Sequence, residues 1–168
     1  MPPNDPLLLD RAVLLTNILK SVADHQSVIV VSPSGSGKTS LCHLLAPALA
    51  DRCWCLIPGT KFDKLTDQNT AEQLLVSIVR AKYPAVRTMD DVLARVDLLL
   101  FDDAQCVYAS RLFCSLITSH AYARTRLLAF ASYSPEYSNL PAPLPFSFKV
   151  CQCAWRHPPN CIMLALAY

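Results

Sequence analysis

The sequence predicts an α/β fold, a three-layer sandwich around a parallel, doubly wound sheet of about five strands. Short, continuous apolar runs such as residues 27–31 and 96–101 are typical of strands that are buried on both faces. Segments with apolar residues at helical spacing separate these runs. Such alternation indicates βαβ units, and right-handed crossovers then place helices on both faces of the sheet.

The remaining elements follow from local signals. Asp5 and Pro6 suit the N-cap and first position of a helix that continues to about Asp24. Pro47 lies inside the helical stripe after the first strand and is expected to kink or shorten that helix, because proline lacks a backbone donor. Capping signals at Asn69 with Glu72, and at Thr88 with Asp91, predict two further helix starts. Strands are predicted at 53–57, 126–132 and 146–151, and a helix is predicted from 104 to about 123.

The composition limits the class of protein. A chain of 168 residues with 52% apolar and 17% charged residues is too apolar for a disordered chain and long enough for one domain. A net charge of +2 indicates neither nucleic acid nor membrane lipid as a partner. With no apolar run of membrane-spanning length and no secretory signal, we expect an intracellular, cytoplasmic protein with eight reduced cysteines.

Residues 32–39 read Ser-Pro-Ser-Gly-Ser-Gly-Lys-Thr and lie between a predicted strand and a predicted helix, the setting of a phosphate-binding loop. Glycines let the backbone curl so that its N–H groups point at phosphate oxygens, while Lys38 reaches the β- and γ-phosphates and the Thr39 hydroxyl ligates Mg²⁺. Ser32 stands where the motif has its first glycine, so it either accepts the dihedral of that turn or the turn differs. The alternative is a Ser/Gly linker that precedes Lys-Thr. The expected phosphate-binding residues are Ser34, Gly35, Ser36, Gly37, Lys38, Thr39 and Ser40.

A second motif places two carboxylates, Asp102 and Asp103, directly after an apolar run. Ligands of open α/β sheets gather at the carboxyl ends of the strands. Asp102 is expected to hold Mg²⁺ with Thr39, and Asp103 to orient or deprotonate the attacking water. Neighbouring residues of a strand point to opposite sides unless the strand ends between them, so the two carboxylates are expected to have different roles. The alternative is that Asp103 is only the N-cap of the next helix.

With both motifs, the chain resembles the P-loop NTPases of the additional-strand class, which includes the AAA+ and STAND ATPases. Lys38 and Thr39 match the Walker A motif, and Asp102 and Asp103 match Walker B. The resemblance implies ATP and Mg²⁺ as ligands, and it places the strand 126–132 between the strands that carry the two motifs. It also implies that Ser132 is a polar sensor residue beside the γ-phosphate. The expected catalytic residues are therefore Lys38, Asp103 and Ser132, and the expected metal ligands are Thr39 and Asp102.

A narrower similarity joins Asp-Asp-Ala-Gln at 102–105 and the motifs that follow it to the ATPase region of Crinkler-like proteins. The pattern also departs from AAA+ proteins, because residues 134–145 are rich in proline and contain no arginine for an arginine finger. Residues 1–151 are expected to form the NTPase core. Residues 152–168 are expected to be an irregular tail at a truncation end, with the C-terminal lid missing.

Three functions stay open at this point. One is a Mg²⁺-dependent ATPase that acts as a switch or motor module with protein partners. The second is a nucleotide-binding interaction module without turnover, and the third is a small-molecule kinase, for which an arginine-rich lid is lacking. Cysteine pairs at 53 and 55 and at 151 and 153 could hold zinc, but their one-residue spacer favours buried core cysteines. Trp54 is interpreted as a core residue and not as a platform for adenine.

Overall fold

The computed structural model describes residues 11–33, 35–107, 116, 124–133 and 161–165. An α/β fold with a parallel sheet is confirmed. The helices are α1 (Arg11–Asp24), α2 (Lys38–Leu45), α3 (Gln68–Lys82) and α4 (Met89–Arg95); the strands are β1 (Ser27–Pro33), β2 (Trp54–Pro58), β3 (Leu98–Asp102), β4 (Arg126–Tyr133) and β5 (Cys161–Ala165). Within the described residues the strand order is β2-β3-β4-β1-β5, with each neighbouring pair parallel.

The strand order brings the two sequence motifs to one edge of the sheet. β4 lies between β1 and β3, the place that the resemblance implied for it. Ser32 is opposite Ser132 in the β1–β4 register, and Pro58 is opposite Asp102 in the β2–β3 register. Because parallel strands end at the same edge, the loop after β1 and the acidic end of β3 lie on the same side of the molecule.

Each face of the sheet carries its own apolar cluster. Leu98 and Leu100 of β3 pack in a cluster that contains buried residues of α1 and α2. Leu99 and Phe101 of the same strand belong to a second cluster, which contains buried residues of α3 and α4. The alternation arises because successive side chains of a strand point to opposite faces. It explains why β3 is a continuous apolar run in the sequence and not an alternating one.

The observed helix ends test the capping signals that the sequence predicted. α4 begins with the predicted capping box, in which Thr88 and Asp91 each bond to the backbone of the other. α2 ends at Leu45, and Pro47 opens a separate 3-10 turn, as its missing donor predicts. The capping box at Asn69 and Glu72 is wrong, because the Asp67 carboxylate accepts from the backbone N–H of Thr70 and caps α3 two residues earlier. Hydrogen bonds from Thr70 also lower the pKa of Asp67.

The chain after β3 differs from the sequence prediction in two places. The predicted helix from residue 104 begins as a 3-10 turn, Ala104–Val107, and most of its remaining residues lie outside the described part. The predicted strand at 146–151 also lies outside it, as do Asp5 and Pro6. Residues 152–168 were expected to be irregular, but Cys161–Ala165 forms β5 beside β1. Parallel pairing with β5 satisfies the backbone hydrogen-bonding groups of β1 on the side that faces away from β4. The sequence pattern alone did not indicate that β5 is the strand that pairs there.

None of the helices in the described part of the chain is both long enough and apolar enough to cross a lipid bilayer.

Gly59 controls how closely β2 and β3 approach at the site edge. It opens the 3-10 turn Gly59–Phe62 directly after β2. A Cβ atom at this position would lie 2.3 Å from the backbone oxygen of Asp103 and 2.6 Å from that of Asp102. The turn therefore packs against the backbone that presents both carboxylates, and only glycine fits there without displacing it.

We expect Gly59→Ala to lower the free energy of unfolding by roughly 1–3 kcal/mol, because the added methyl group overlaps two backbone carbonyls that cannot rotate away. Urea unfolding followed by circular dichroism measures the change. Ser77→Thr, which adds one methyl group on the exposed side of α3, is the matched control and should stay within about 0.5 kcal/mol. Wild-type stability for Gly59→Ala would contradict the tight packing of this turn.

Candidate functional site

The loop after β1 has the backbone curvature that anion binding requires. Gly35 and Gly37 both adopt left-handed dihedrals, with φ of 78° and 83°, and Ser36 lies between them. Alternation of this kind turns successive N–H groups toward one point. Gly37 is also the N-cap of α2 and has no side chain that could cap the first turn, so that turn offers its N–H groups and the positive end of its dipole.

Ser32 occupies the position at which the phosphate-loop motif has its first glycine. It belongs to β1, pairs with Ser132 and is not in the left-handed region that would require glycine. Its side chain is buried, and its Oγ lies 2.6 Å from Oγ of Ser36. A serine therefore fits at this position without strain. Its hydrogen bond with Ser36 connects β1 to the loop.

Lys38 places a buried positive charge beneath the loop. Its side chain is only 6% exposed, and its Nζ donates to the backbone oxygen of Ser32 at 3.3 Å and to Oγ of Ser36 at 3.4 Å. Burial lowers the pKa of Lys38, and the negative charges of Asp103 and Asp102 act in the opposite direction. A buried cation beside N–H donors favours an anionic ligand.

Thr39 and Asp102 join the two motifs directly. The Thr39 hydroxyl donates to Oδ2 of Asp102 at 2.8 Å, across 63 residues of sequence. Mg²⁺ binds oxygen at about 2.0–2.1 Å in octahedral geometry, so neighbouring ligand oxygens are about 2.9 Å apart. The two oxygens thus have the separation of two adjacent Mg²⁺ ligands, and the donor set of one hydroxyl and one carboxylate suits this ion when phosphates and waters complete it.

Asp103 follows the end of β3 and turns away from the strand direction. β3 ends at Asp102, and Asp103 has a φ of 50°, a left-handed conformation that Asp and Asn accept more readily than most residues. Both carboxylates act electrostatically on Lys38 and on Cys42, so both lie on the side of the phosphate loop. β3 ends between the two residues, which is the case in which neighbouring carboxylates need not point to opposite sides.

The Asp103 carboxylate accepts a hydrogen bond from a side chain of the turn that follows it. Its Oδ1 accepts from Nε2 of Gln105 at 3.0 Å, while its backbone oxygen accepts from the N–H of Cys106. The other end of the Gln105 amide accepts from the backbone N–H of Ser132 at 2.9 Å. Gln105 therefore connects the acidic end of β3 with the end of β4.

The structure brings together most of the residues that the sequence selected. Lys38, Thr39, Asp102 and Asp103 meet at the carboxyl edge, and Ser132 joins them through the Gln105 bridge. Gly35, Ser36 and Gly37 form the loop, and Ser40 is exposed on the first turn of α2. Ser34 lies outside the described residues.

Three neighbours of the site carried no functional interpretation in the sequence. Gln105 and Gly59 act through contacts between segments that are distant in the chain, which no local pattern reveals. Cys42 lies one turn after Lys38, and its buried thiol has a raised pKa because of burial and the nearby Asp102 and Asp103. Helical spacing from Lys38 is the signal that places Cys42 on the site side of α2.

The other sites considered in the sequence gain no support. Among the described residues, no three His, Cys, Asp or Glu side chains are grouped so that they could hold a metal ion. Cys55 is buried, and burial raises the pKa of its thiol, as for a core cysteine. Cys53 is exposed, so the core interpretation is wrong for that residue, and Cys151 and Cys153 lie outside the described residues. The ring of Trp54 is covered by Lys82, whose Nζ lies 3.7 Å from the ring centroid, so this face is not available to a base.

A cleft of about 490 Å³ lies elsewhere, against α3 and the start of α4, and shares no residue with the phosphate loop or the end of β3. The guanidinium of Arg80, on its wall, is already bound by the backbone oxygens of Val86 and Arg87. The cleft therefore lies apart from the residues that the two sequence motifs select.

Comparisons with known proteins agree with this geometry at the level of the fold. The sequence matches neither a protein-family model nor a curated protein. Among solved structures, the Walker-type ATPase Paby2304 of Pyrococcus abyssi resembles this chain with a TM-score of 0.57 and 12% identity, over 96% of this chain and 55% of that one. AMPPCP-bound DnaA from Aquifex aeolicus has a TM-score of 0.47 and 16% identity, over 74% of this chain and 38% of DnaA.

The chain spans about half the length of the Pyrococcus protein, at an identity that shows the fold alone. The chain therefore has a P-loop NTPase type of fold, similar to that of a Walker-type ATPase.

Proposed function

We propose that this chain binds ATP and hydrolyses it with Mg²⁺, as an AAA+/STAND-like switch or motor module. The observation that carries the proposal is the meeting of three groups at one sheet edge: the buried ammonium of Lys38, the Thr39 hydroxyl bound to Asp102, and the carboxylate of Asp103. Each group matches one requirement of phosphoryl transfer, namely charge neutralisation, metal coordination and orientation of water.

The phosphates would be bound by the loop. Its left-handed glycines direct N–H groups inward. Lys38 is already buried in the folded protein, so its charge is not further desolvated when a phosphate binds. Exchanging the weak contacts of Nζ with Ser32 and Ser36 for phosphate oxygens would raise the pKa of Lys38 again, because an opposite charge favours the protonated form. A ligand with at least two phosphates can contact both the loop N–H groups and Lys38. We therefore expect such a ligand to bind more tightly than one with a single phosphate.

Thr39 and Asp102 would hold the metal ion. When bound, Mg²⁺ neutralises charge on the β- and γ-phosphate oxygens. Asp103 is proposed to accept a hydrogen bond from the attacking water and align it with the γ-phosphate, while Ser132 contacts the γ-phosphate or that water. The Asp103 carboxylate lies on the loop side of β3, which supports this role.

A nucleotide-binding module without turnover is the second candidate. The hydrogen bond between Gln105 and the Asp103 carboxylate favours it, because a carboxylate held by its own chain has a structural use even without a reaction. The two candidates share the binding site and differ only in what Asp103 does. They are separated by comparing binding with turnover.

The finer placement is also a proposal. We place the chain in the additional-strand class, with a doubly wound core of five strands, and propose a similarity to the Crinkler-like ATPases. The order β2-β3-β4-β1, with the second strand next to the Walker B strand, supports this placement. Its nucleotide, its protein partners and a cytoplasmic location are part of the same proposal.

We expect Lys38→Ala to abolish ATP binding, because it removes the buried cation against which the phosphates are held. Isothermal titration calorimetry with ATP and with a non-hydrolysable analogue measures the affinity, and parallel titrations with GTP report the base preference. Lys20→Ala removes the same charge from the exposed side of α1 and should bind like the wild type. Unchanged affinity in Lys38→Ala would exclude this loop as the phosphate site.

We expect Thr39→Val to remove the enhancement of ATP affinity by Mg²⁺, because valine keeps the size of threonine but lacks the hydroxyl that meets Asp102. Thr39→Ser keeps that hydroxyl and should retain most of the enhancement. The measurement is ATP affinity with Mg²⁺ and with EDTA for all three proteins. Equal Mg²⁺ enhancement in the wild type and Thr39→Val would rule out this metal site.

We expect Asp103→Asn to lower the turnover number by about 100-fold or more while ATP affinity is retained, because the amide cannot accept the proton of water. Asparagine tolerates the left-handed backbone at this position, so the fold is preserved. Phosphate release under steady-state conditions gives the rate, with Asp90→Asn on exposed α4 as control. Equal rates for wild type and Asp103→Asn would show that Asp103 does not act on water. A wild type that binds ATP without releasing phosphate would instead support the nucleotide-binding module without turnover.

A further inference from the structure

One amide side chain links the two strand ends that flank the proposed γ-phosphate position. Gln105 lies in the 3-10 turn Ala104–Val107 and uses both ends of its amide. Nε2 donates to Oδ1 of Asp103 at 3.0 Å, and Oε1 accepts from the backbone N–H of Ser132 at 2.9 Å. Because only the NH₂ end donates and only the oxygen accepts, these two partners determine the orientation of the amide.

The bridge acts on a carboxylate whose residue lies just beyond the end of β3. Asp103 follows the last residue of β3, so its own backbone is outside the sheet ladder. The positive charge of Lys38 attracts the same carboxylate. The hydrogen bond from Gln105 holds Oδ1 and restricts rotation of the carboxylate, so Oδ2 is the oxygen that would meet a ligand water.

The other end of the bridge connects to the phosphate loop. Ser132 is opposite Ser32 in the β1–β4 register, and Ser32 bonds to Ser36 of the loop and accepts from Lys38. A chain of direct contacts therefore runs from the loop through β1 and β4 to Gln105 and Asp103. Gln105 is half-buried, so water competes only in part for its two hydrogen bonds.

We infer that Gln105 is a positioning residue, which orients the Asp103 carboxylate relative to the end of β4 for its action on water. The inference rests on the proposed ATPase function. Gln105 does not touch the reacting atoms, and its effect passes through Asp103. Its loss therefore lowers the rate of hydrolysis and leaves the binding of ATP intact, since within the described residues its hydrogen bonds go to Asp103 and Ser132 and not to Lys38 or Thr39.

The first experiment removes the bridge without removing its volume. Gln105→Met keeps the length of the side chain and loses both hydrogen bonds. We expect kcat to fall by roughly 10–100-fold with little change in KM or in the Kd of ATP, the size of effect that loss of a hydrogen bond to a charged group produces. Gln68→Met is the matched control, because Gln68 also donates to a carboxylate, that of Glu72 on α3, and lies away from the site.

The second experiment restores the bridge by protonation. In Gln105→Glu the neutral acid can donate its O–H to Asp103 and accept from the N–H of Ser132, whereas the ionised form repels Asp103. The neighbouring carboxylate raises the pKa of the new acid, so the rate of Gln105→Glu relative to wild type should rise as the pH falls from about 8 to about 6. The same ratio for Gln105→Met should not depend on pH. A merely structural role predicts no such rescue.

The outcomes separate this inference from the function on which it rests. If wild type hydrolyses ATP and Gln105→Met has the same kcat, or Gln105→Glu shows no recovery at low pH, the positioning role is wrong and the ATPase function stands. If Gln105→Met unfolds, the pH profile of Gln105→Glu decides the question alone. If wild type binds no ATP or releases no phosphate, the proposed hydrolysis fails, and the positioning role fails with it.

Discussion

The arrangement of this protein depends on one buried charge, the ammonium of Lys38. Taking a cation out of water is costly unless oxygen ligands surround it. The Ser32 carbonyl near the end of β1 and the two carboxylates at the end of β3 help to compensate this charge, although β1 and β3 are not neighbours in the sheet. β4 lies between these two strands, so its pairing with each of them sets the distance between the carbonyl and the carboxylates. A shift of β3 by one residue would reverse the side on which Asp102 lies.

Much of the fold could be predicted because its strands are buried on both faces. Such strands appear as uninterrupted apolar runs, and the predicted bounds of β1 to β4 lie within two residues of those in the structure. The start of α3 was misplaced because Asp67, Asn69 and Glu72 offer competing caps, and the preference depends on local geometry. β5 escaped prediction since an apolar segment at the end of the chain becomes a strand only when the edge of β1 is there to pair with it.

The site was predictable to the extent that its chemistry is local. Lys38 and Thr39 follow the loop glycines, and Asp102 and Asp103 follow β3, so spacing alone selects them. The contacts that orient these groups are not local. Gln105 meets Ser132 across 27 residues, and Gly59 meets the backbone of Asp103 through the packing of two turns. No periodicity encodes a requirement for a missing Cβ or for a bridging amide, and these residues emerge only from the three-dimensional arrangement.

The left-handed backbone at Asp103 restricts which acids the chain can use there. A longer carboxylic side chain would reach farther toward a ligand, but glutamate has no short polar group to stabilise a positive φ and accepts it less readily than aspartate. Replacement of Asp103 by glutamate would therefore need a compensating change in the backbone path of the turn. Since Gly59 packs against the same backbone, the two positions are coupled, and the reach of the acid can be altered by evolution only together with the glycine beside it.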